Sequence, residues 1–244
     1  MYKDFAFLYD QLMADIDYEE WYLYIKDIME KFNKNPKTIL EMACGTGNLS
    51  YYFARDGFDL TCFDLSPDML SIAYNKLIKF RNVTILNQNM VDFYINKKFD
   101  VIISICDSIN YITDKDNLLK TFKNVKNHLT QNGIFIFDIN SHYKLKEIIG
   151  NNTFVEDRRD LFYIWQNYFD DKNSISEFYL TFFIREDKGY FRRFDEEHIE
   201  KAYKIEEIVE LLKLAGFSKN YYYDCFTFDD PSKKSERINF VVLP

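Results

Sequence analysis

Four residues near the start of the chain have types and spacing that suit ligand binding: Glu41, Gly45, Gly47 and Asp64. Glycines lack a Cβ, so a ligand can approach the backbone closely, and a helix that begins after them directs N–H groups at that ligand. Asp64 ends the next apolar run, where a carboxylate can accept hydrogen bonds from a ribose diol. The pattern predicts a turn that binds an adenosine-like ligand.

Two classes of cofactor use such a turn, the nicotinamide or flavin dinucleotides and S-adenosylmethionine. The dinucleotide pattern requires a third glycine, which allows the helix to pack tightly, and Ser50 stands at that place. Glu41, four residues before Gly45, would face a pyrophosphate unfavourably but can attract an ammonium group. This chemistry favours a ligand with adenosine at one end and an ammonium and a sulfonium at the other.

Alternating strands and helices position these residues. A helix is predicted over Tyr18 to Phe32, and strands then alternate with helices as far as Gly150. This rhythm predicts an α/β fold with a doubly wound, mainly parallel, seven-stranded sheet. After Gly150 the strand-like segments are joined by short polar turns, which predicts an inserted antiparallel β meander. We expect residues 1–150 and 201–244 to form the α/β domain, and residues 151–200 to cover a substrate pocket.

The glycine turn and the second strand resemble the class I S-adenosylmethionine-dependent methyltransferases. "EMACGTG" is similar to their first motif, with Ala43 where glycine often stands, and "FDLSPDMLSIA" is similar to the motif of their second strand. The resemblance implies a Rossmann-like methyltransferase fold with S-adenosyl-L-methionine as cofactor. It places Asp64 at the ribose and Met69 at the adenine, and Leu65 is a further candidate contact of the cofactor. Cys106, where the fourth strand ends, is expected beside the cofactor by the topology of the sheet.

The chain also resembles a small bacterial subgroup of these enzymes that begins with a Tyr-Asp motif. In that subgroup the early tyrosine, here Tyr9, helps to cover the cofactor. The segment after the third strand usually ends in Asp-Met, and this chain has Asn89 and Met90 there. An asparagine can still accept a hydrogen bond from the adenine amino group through its carbonyl oxygen.

Methyl transfer from a sulfonium depends mainly on the positions of donor and acceptor, and a base is needed only if the acceptor must lose a proton. The candidate catalytic residues are Asp107 and His142, at the carboxyl ends of two strands, and Tyr9. Of the other histidines, His128 is expected on the surface and His198 on the meander. No spacing of His, Cys, Asp or Glu matches a metal site.

A net charge of −8 disfavours nucleic acid as a partner, and we interpret the basic segment "KKSER", Lys233 to Arg237, as solvated surface charge. The N-terminal residues lack a secretory signal pattern, no apolar run could span a membrane, and the four cysteines form no CxxC pair. We therefore expect a cytoplasmic methyltransferase that acts on an N or O nucleophile of a small molecule. The alternatives are a nicotinamide-dependent oxidoreductase, a non-catalytic cofactor-binding protein of the same fold, and an RNA or protein methyltransferase.

Overall fold

The computed structural model describes residues 3–158, 160–186 and 189–244, and it contains the predicted seven-stranded sheet. The strands lie in the order β10-β11-β5-β4-β1-β2-β3. Their bounds are β1 Thr38–Met42, β2 Asp59–Asp64, β3 Val83–Asn87, β4 Phe99–Ser104, β5 Leu129–Asn140, β10 Lys219–Asp224 and β11 Arg237–Leu243. The first five are parallel, and β11 runs antiparallel to both β5 and β10. The strand order reverses between β1 and β4, and ligands of such sheets bind outside the carboxyl ends of the strands at that point.

Six α-helices accompany the strands in the described part of the chain. They are α1 Lys3–Leu12, α2 Tyr18–Lys31, α3 Asn48–Arg55, α4 Pro67–Leu77, α5 Lys115–His128 and α6 Ile205–Leu214, with a 3₁₀ turn at Ser108–Tyr111 and a π-type turn at Lys144–Ile149. The start of α4 follows from its sequence, because the Ser66 side chain accepts a hydrogen bond from the Met69 N–H and Pro67 is the first helical residue. The sequence did not predict α1, which covers one end of the sheet.

Both faces of the large sheet are buried under helices. One face packs against α5 and α6 through a cluster rich in phenylalanine, in which the rings of Phe137 and Phe240 stack at 4.8 Å. The other face packs against α2, α3 and α4. The inner strands β1, β4 and β11 are almost entirely buried. Such strands read as nearly continuous apolar runs, which is why the sequence predicted them correctly.

A separate antiparallel sheet forms the predicted meander. Its strands lie in the order β6-β7-β8-β9, with bounds β6 Thr153–Arg158, β7 Leu161–Asp170, β8 Ile175–Arg185 and β9 Phe191–Lys201. The sequence predicted three of these strands and missed β6. We define the inner face of this sheet as the side chains that point toward the α/β domain, and we place on it Leu161, Tyr163, Trp165, Asn167, Phe169, Ser176, Phe178, Leu180, Phe182, Phe194, Glu196, His198 and Glu200.

Hydrophobic contacts attach the two ends of the inner face to the rest of the chain. At one end Leu161 and Phe182 pack with Ala6 and Leu8 of α1 and with Met69 of α4. At the other end Phe169 and Phe178 pack with two residues of the π-type turn, Leu145 and Ile149. The meander therefore lies over the same edge of the large sheet as α1. The boundaries of the two proposed domains stay a prediction.

Two surface interpretations were wrong. His128 is 7% exposed: its Nε2 accepts a hydrogen bond from the Ile95 N–H at 3.1 Å, and its Nδ1 lies 2.8 Å from the carbonyl oxygen of Asn124. Arg237 begins β11 and pairs with two carboxylates instead of pointing into solvent. The polar partners of His128 and Arg237 include residues far away in the sequence, Ile95 for the histidine and Asp107 for the arginine. The local pattern therefore could not indicate that either side chain is buried.

Candidate active site

The glycine turn lies at the carboxyl end of β1 and has an unusual backbone. Ala43, Gly45 and Gly47 have φ values of 53°, 54° and 76°. Glycine adopts this left-handed conformation most easily, which explains why glycine often stands at the position of Ala43 in the first motif. α3 begins directly after Gly47 without a side-chain cap, so the N–H groups of its first turn remain available for a ligand.

Glu41 is the only acidic side chain on β1, and it is buried. It is 3% exposed, and the Ser50 hydroxyl donates a hydrogen bond to its Oε2. The pKa of Glu41 is raised to about 8, mainly by burial; the hydrogen bond from Ser50 opposes the rise, and the nearby charge of Asp64 adds to it. None of the Lys or Arg side chains in the described residues forms an ion pair with Glu41, so its environment can accept a cation.

Asp64 ends β2 and holds the turn together. Its Oδ2 accepts a hydrogen bond of 2.9 Å from the Gly45 N–H, and its Oδ1 accepts one of 2.8 Å from the Ser66 N–H. Burial raises the pKa of this carboxyl although the two backbone bonds act in the opposite direction. Each carboxylate oxygen can accept a further bond, so Asp64 can accept a diol while it keeps its backbone partners.

The helix α1 covers the turn. A Cβ on Gly45 would lie 3.8 Å from Cε1 of the Tyr9 ring, so this ring lies directly over the glycine. Burial is the main reason why the pKa of the Tyr9 hydroxyl is raised well above its usual value, and a hydrogen bond with Tyr18 contributes to the rise. The next residue, Asp10, accepts hydrogen bonds from the Thr46 hydroxyl at 2.6 Å and from Asn48 Nδ2 at 3.0 Å.

These elements enclose a small cavity at the switch point of the sheet. Its lining comes from α1, α2, the glycine turn and the segment after β4, and it consists of Tyr9, Tyr18, Glu41, Ala43, Cys44, Gly45, Thr46, Asn48, Leu49, Ile105, Cys106 and Ser108. Five of the residues predicted from the sequence are among them, namely Tyr9, Glu41, Ala43, Gly45 and Cys106, and Asp64 holds the turn from outside.

Asp107 and its neighbours form a charged corner beside this cavity. Cys106 and Asp107 have φ values of 57° and 56°, a strained conformation for residues with a Cβ. Two partners hold it: the Asp107 N–H donates to Asp138 Oδ2 at 3.0 Å, and Arg237 Nη2 lies 2.7 Å from Asp107 Oδ1. Arg237 also contacts Asp138, whose side chain is fully buried.

The remaining predicted residues lie outside the lining. Leu65 is 66% exposed at the end of β2, Asn89 is exposed after β3, and the Asn89 Oδ1 accepts a hydrogen bond from the Val91 N–H at 2.9 Å. Met90 packs against the core, with its Sδ 3.8 Å from Ser104 Oγ. The cofactor contacts assigned to these three residues stay predictions.

Met69 and His142 have protein neighbours that the sequence did not predict. Met69 is 6% exposed and packs against α1 and the small sheet. The ring of His142 lies 5.9 Å from the Phe169 ring, and burial lowers the pKa of His142, with the charges of Lys204 and Lys146 acting in the same direction. Their assigned roles at the cofactor and in catalysis stay predictions.

Sequence reasoning missed several residues around this site, among them a tyrosine, an arginine and a histidine. Tyr18 lines the cavity, Arg237 holds Asp107, and the Nδ1 of His198 lies 3.4 Å from the Tyr111 hydroxyl in the 3₁₀ turn. A tyrosine at a helix start and an arginine in a basic segment carry no local signal of a site. His198 had one signal, the alternation along β9 that repeats an ionisable residue at Glu196, His198 and Glu200.

A wider cavity of about 470 Å³ lies elsewhere, between the segment before β4 and the end of α5. Its lining residues include Tyr94, Lys97, Lys98 and His128. Because they precede β4 and β5, this cavity is at the amino ends of the strands, opposite to the edge where such sheets bind ligands. The smaller cavity at the carboxyl ends is therefore the candidate active site.

The comparisons with known proteins agree with the geometry of this site. A family model described as a methyltransferase domain matches residues 39–133. The putative methyltransferase YqeM of Bacillus subtilis is 35% identical over 243 residues, which are 98% of this chain and 96% of that protein. The crystal structure of an S-adenosylmethionine-dependent methyltransferase from Clostridium acetobutylicum is 40% identical, has a TM-score of 0.90, and aligns over 99% of this chain and 98% of its own.

The chain belongs to the S-adenosylmethionine-dependent methyltransferases. It is also 28% identical to the dTDP-3-amino-3,4,6-trideoxy-alpha-D-glucopyranose N,N-dimethyltransferase of Streptomyces venezuelae over 141 residues, 57% of this chain and 58% of that enzyme. The methyltransferase uses S-adenosylmethionine, and the site fits this cofactor. A buried carboxyl without a cationic partner among the described residues suits its ammonium group, and a diol acceptor at Asp64 suits its ribose.

Proposed function

We propose that this methyltransferase transfers the methyl group to a nitrogen or oxygen nucleophile of a small molecule, by an in-line displacement that depends on positioning. One observation carries the proposal: the small sheet closes over the ends of β4 and β5. Asn110 Nδ2 donates to the carbonyl oxygen of Lys201 at 2.9 Å, and Asn140 Nδ2 donates to Glu200 Oε2 at 3.0 Å. A roof held by buried side chains suits a small acceptor better than a polymer.

Residues of this chain would hold the cofactor as follows. Glu41 would accept the ammonium group, Asp64 the ribose hydroxyls, and the backbone at Ala43, Gly45 and Gly47 would allow close approach. When bound, S-adenosylmethionine would supply a methyl group that its sulfonium already activates for transfer. Leu65, Met69, Asn89, Met90 and Cys106 are proposed contacts at the adenine and ribose.

Around the acceptor, the residues position groups and exclude water. Tyr9 covers the turn from one side, and its raised pKa keeps the hydroxyl neutral, so it acts through its hydrogen bonds. Asp107 is paired with Arg237, which makes it suited to orient an N–H or O–H group of the acceptor and poorly suited to remove a proton. His142 is a proposed base for a hydroxyl acceptor, and on the small sheet the negative charge of Asp107 acts on the pKa of a second histidine, His198.

The Tyr-Asp motif, the compartment and the partner class are also proposals. The contacts of Tyr9 with Gly45 and of Asp10 with Thr46 support membership of the subgroup that begins with this motif.

The side chains of Cys44 and Cys62 lie side by side as free thiols, which supports a location in the reducing cytoplasm. No helix among the described residues is long and apolar enough to cross a membrane. An acidic surface supports a small molecule as partner in preference to nucleic acid.

The experiment that tests the function uses S-adenosylmethionine with a labelled methyl group and a bacterial cell extract separated into small-molecule, RNA and protein fractions. We expect the purified enzyme to transfer label to the small-molecule fraction. Label found only in RNA or only in protein would contradict the proposal and support an RNA or protein methyltransferase. Cofactor binding without transfer to any fraction would support a non-catalytic protein of the same fold.

A substrate found in this way would allow the positioning account to be tested. We expect an alanine substitution at any one of Tyr9, Asp107, Asn140 and His142 to reduce kcat/KM tens- to hundreds-fold. A loss above ~10⁴-fold at one of them, with cofactor affinity intact, is more than a positioned base normally contributes and would contradict it.

A further inference from the structure

The small sheet has a second face, which points away from the α/β domain. We call it the outer face and define it by the side chains that alternate along β6 to β9 with those of the inner face. The pairing of neighbouring strands arranges the outer face in five rows: Asp157, Phe162, Phe183 and Arg193; Val155, Ile164, Thr181 and Asp195; Thr153, Gln166, Tyr179 and Glu197; Tyr168, Glu177 and Ile199; and Asp170, Ile175 and Lys201.

Apolar and aromatic side chains occupy much of the outer face. Val155 is 59% exposed, Tyr168 is 55% exposed and Ile199 is 49% exposed. The rings of Phe162 and Phe183 lie 5.9 Å apart in the first row, and both side chains are partly exposed. In the described part of the chain, none of these five belongs to a hydrophobic cluster of the core. A face of an antiparallel sheet that meets water is normally polar, so this one indicates an interaction surface.

The outer face is large enough for a stable interface between proteins. Four strands at a spacing of ~4.8 Å, each with about ten residues of ~3.3 Å, give a face of roughly 600 Å². Two such faces in contact bury about 1,200 Å² in total, which is the lower end of the range for specific interfaces. Two sheets can pack face to face in this way when their strands are aligned.

Opposite charges stand at the two ends of the first row. Asp157 is exposed on the β6 edge, and Arg193 is exposed on the β9 edge, where its Nη2 also lies 2.9 Å from Asp195. A second copy related by a two-fold axis parallel to the strands reverses their order, so β6 of one copy lies over β9 of the other. Asp157 then faces Arg193 twice, and Phe162 faces Phe183 twice. The first row is therefore complementary to itself.

A two-fold axis across the strands does not suit the same face. Centred on the sheet, it would place Glu197 opposite its own copy and Arg193 opposite Lys201. Like charges in facing positions oppose association. With the axis parallel to the strands, Glu197 faces the uncharged Thr153. The distribution of charge thus selects one of the two symmetric arrangements.

We infer that the outer face of the small sheet binds a second copy of this chain, and that the protein is a dimer with its two-fold axis parallel to the strands of that sheet. The same surface patch serves both copies, as in most symmetric dimers. The inner face of each small sheet stays turned toward its own α/β domain. The two cofactor cavities therefore lie on opposite sides of the interface, and each is formed by one chain.

The first test is the mass of the protein in solution, measured by light scattering and by sedimentation over a wide range of concentrations. We expect the parent protein to have twice the mass of one chain. Phe183→Glu places a carboxylate among the apolar side chains of the interface, so this variant should have the mass of a single chain. It should bind the demethylated cofactor as tightly as the parent does, which would show that the variant is folded.

The second test reverses the charges of the facing pair. Both pairs lie at the rim of the interface, where the loss of one charge matters little, but Asp157→Arg and Arg193→Asp each create two pairs of like charges. Each variant should weaken the dimer at least ~10-fold. The double variant exchanges the two charges and should return the dissociation constant to within ~3-fold of the parent value. Glu210→Arg, at an exposed position on α6, is the control and should leave the dimer unchanged.

The outcomes decide both the surface and the partner. A parent protein that is monomeric at every concentration would overturn the inference, whether the outer face then binds another protein or nothing. A dimer that survives Phe183→Glu and both single reversals would have its interface elsewhere, and a double variant that does not recover would exclude the arrangement. If Phe183→Glu does not fold, the three charge variants decide. None of these measurements requires a methyl acceptor, so they are independent of the proposed function.

Discussion

The carboxylate of Asp10, near the end of α1, accepts a hydrogen bond of 2.6 Å from the hydroxyl of Thr46 in the glycine turn. This bond attaches α1 to the glycine turn that the helix covers. Tyr9 precedes Asp10 directly, so the same attachment holds the tyrosine ring over Gly45. The Tyr-Asp pair therefore combines two functions in adjacent residues, one to cover the turn and one to bind it.

Removal of the bond between Asp10 and Thr46 should weaken cofactor binding only because α1 is then held less firmly over the glycine turn. We expect Asp10→Asn and Thr46→Val each to weaken the affinity for the demethylated cofactor about 2- to 10-fold, the usual range for one hydrogen bond. The double variant should lose less than the sum of the two free energies, since both remove the same contact. Calorimetric titration measures all three affinities. Additive losses would show that Asp10 and Thr46 act separately.

Glu41 should release a proton when the cofactor binds. Its pKa of about 8 keeps it neutral at pH 6.5 in the free protein, while an α-amino group is charged at that pH. Binding of the ammonium group ionises the carboxyl, so affinity should rise with pH between about 6 and 7.7, where the cofactor amine begins to lose its own charge. Titration in two buffers with different ionisation enthalpies should give close to one proton released. Glu41→Gln should give none and bind more weakly.

The same carboxyl should make the free protein less stable as the pH rises. Its folded pKa lies above its unfolded value of 4.5, so the folded state binds more protons between pH 4.5 and 8, and the free energy of unfolding falls across that window. The slope from one such group is at most about 1.4 kcal/mol per pH unit. Urea unfolding of Glu41→Gln without cofactor should show a flatter dependence on pH. A parent and variant with equal slopes would contradict the raised pKa.

Asp64 should matter for cofactor affinity far more than an acid at the other end of its strand. Asp64→Asn keeps the shape but loses the charge that we propose accepts hydrogen bonds from the ribose, and we expect binding of the cofactor to be ~10- to 100-fold weaker. Asp59→Asn is the control, because Asp59 begins β2 and pairs with Lys97 at the surface. Similar losses from both variants, or none from Asp64→Asn, would show that Asp64 only holds the turn. NAD should not bind to the parent.

Arg237 should be among the side chains most important for stability. Arg237→Met leaves the carboxylates of Asp107 and Asp138 without their cation, and breaking a buried pair in this way costs about 3–5 kcal/mol. Arg193→Met removes an arginine from an exposed pair on β9 and should change the free energy of unfolding by less than about 1 kcal/mol. Urea unfolding compares the two. If both variants change the free energy of unfolding by similarly small amounts, Arg237 is a solvated surface charge, as its sequence context indicated.

Local sequence determined the parts of this protein that depend on neighbours in the chain. The glycine turn, the cap at Ser66 and Pro67, and the helix end at Gly216 follow from backbone rules that act within a few residues. The inner strands of the large sheet, such as β1, β4 and β11, are apolar runs buried on both faces, so no register had to be known to recognise them. The order of strands and helices then implied the parallel sheet and the place of its ligand.

Tertiary structure decided which polar side chains turn inward and what they meet. Arg237 and His128 gave no local signal, because their partners Asp107 and Ile95 come from other parts of the chain. For His198 the alternation along β9 was the one signal, and it did not identify Tyr111 as the partner. A strand such as β9 alternates its faces, and a shift of one residue in its pairing with β8 would have exposed Glu196, His198 and Glu200. Only the folded chain sets that register, since it follows from the hydrophobic contacts at both ends of the small sheet.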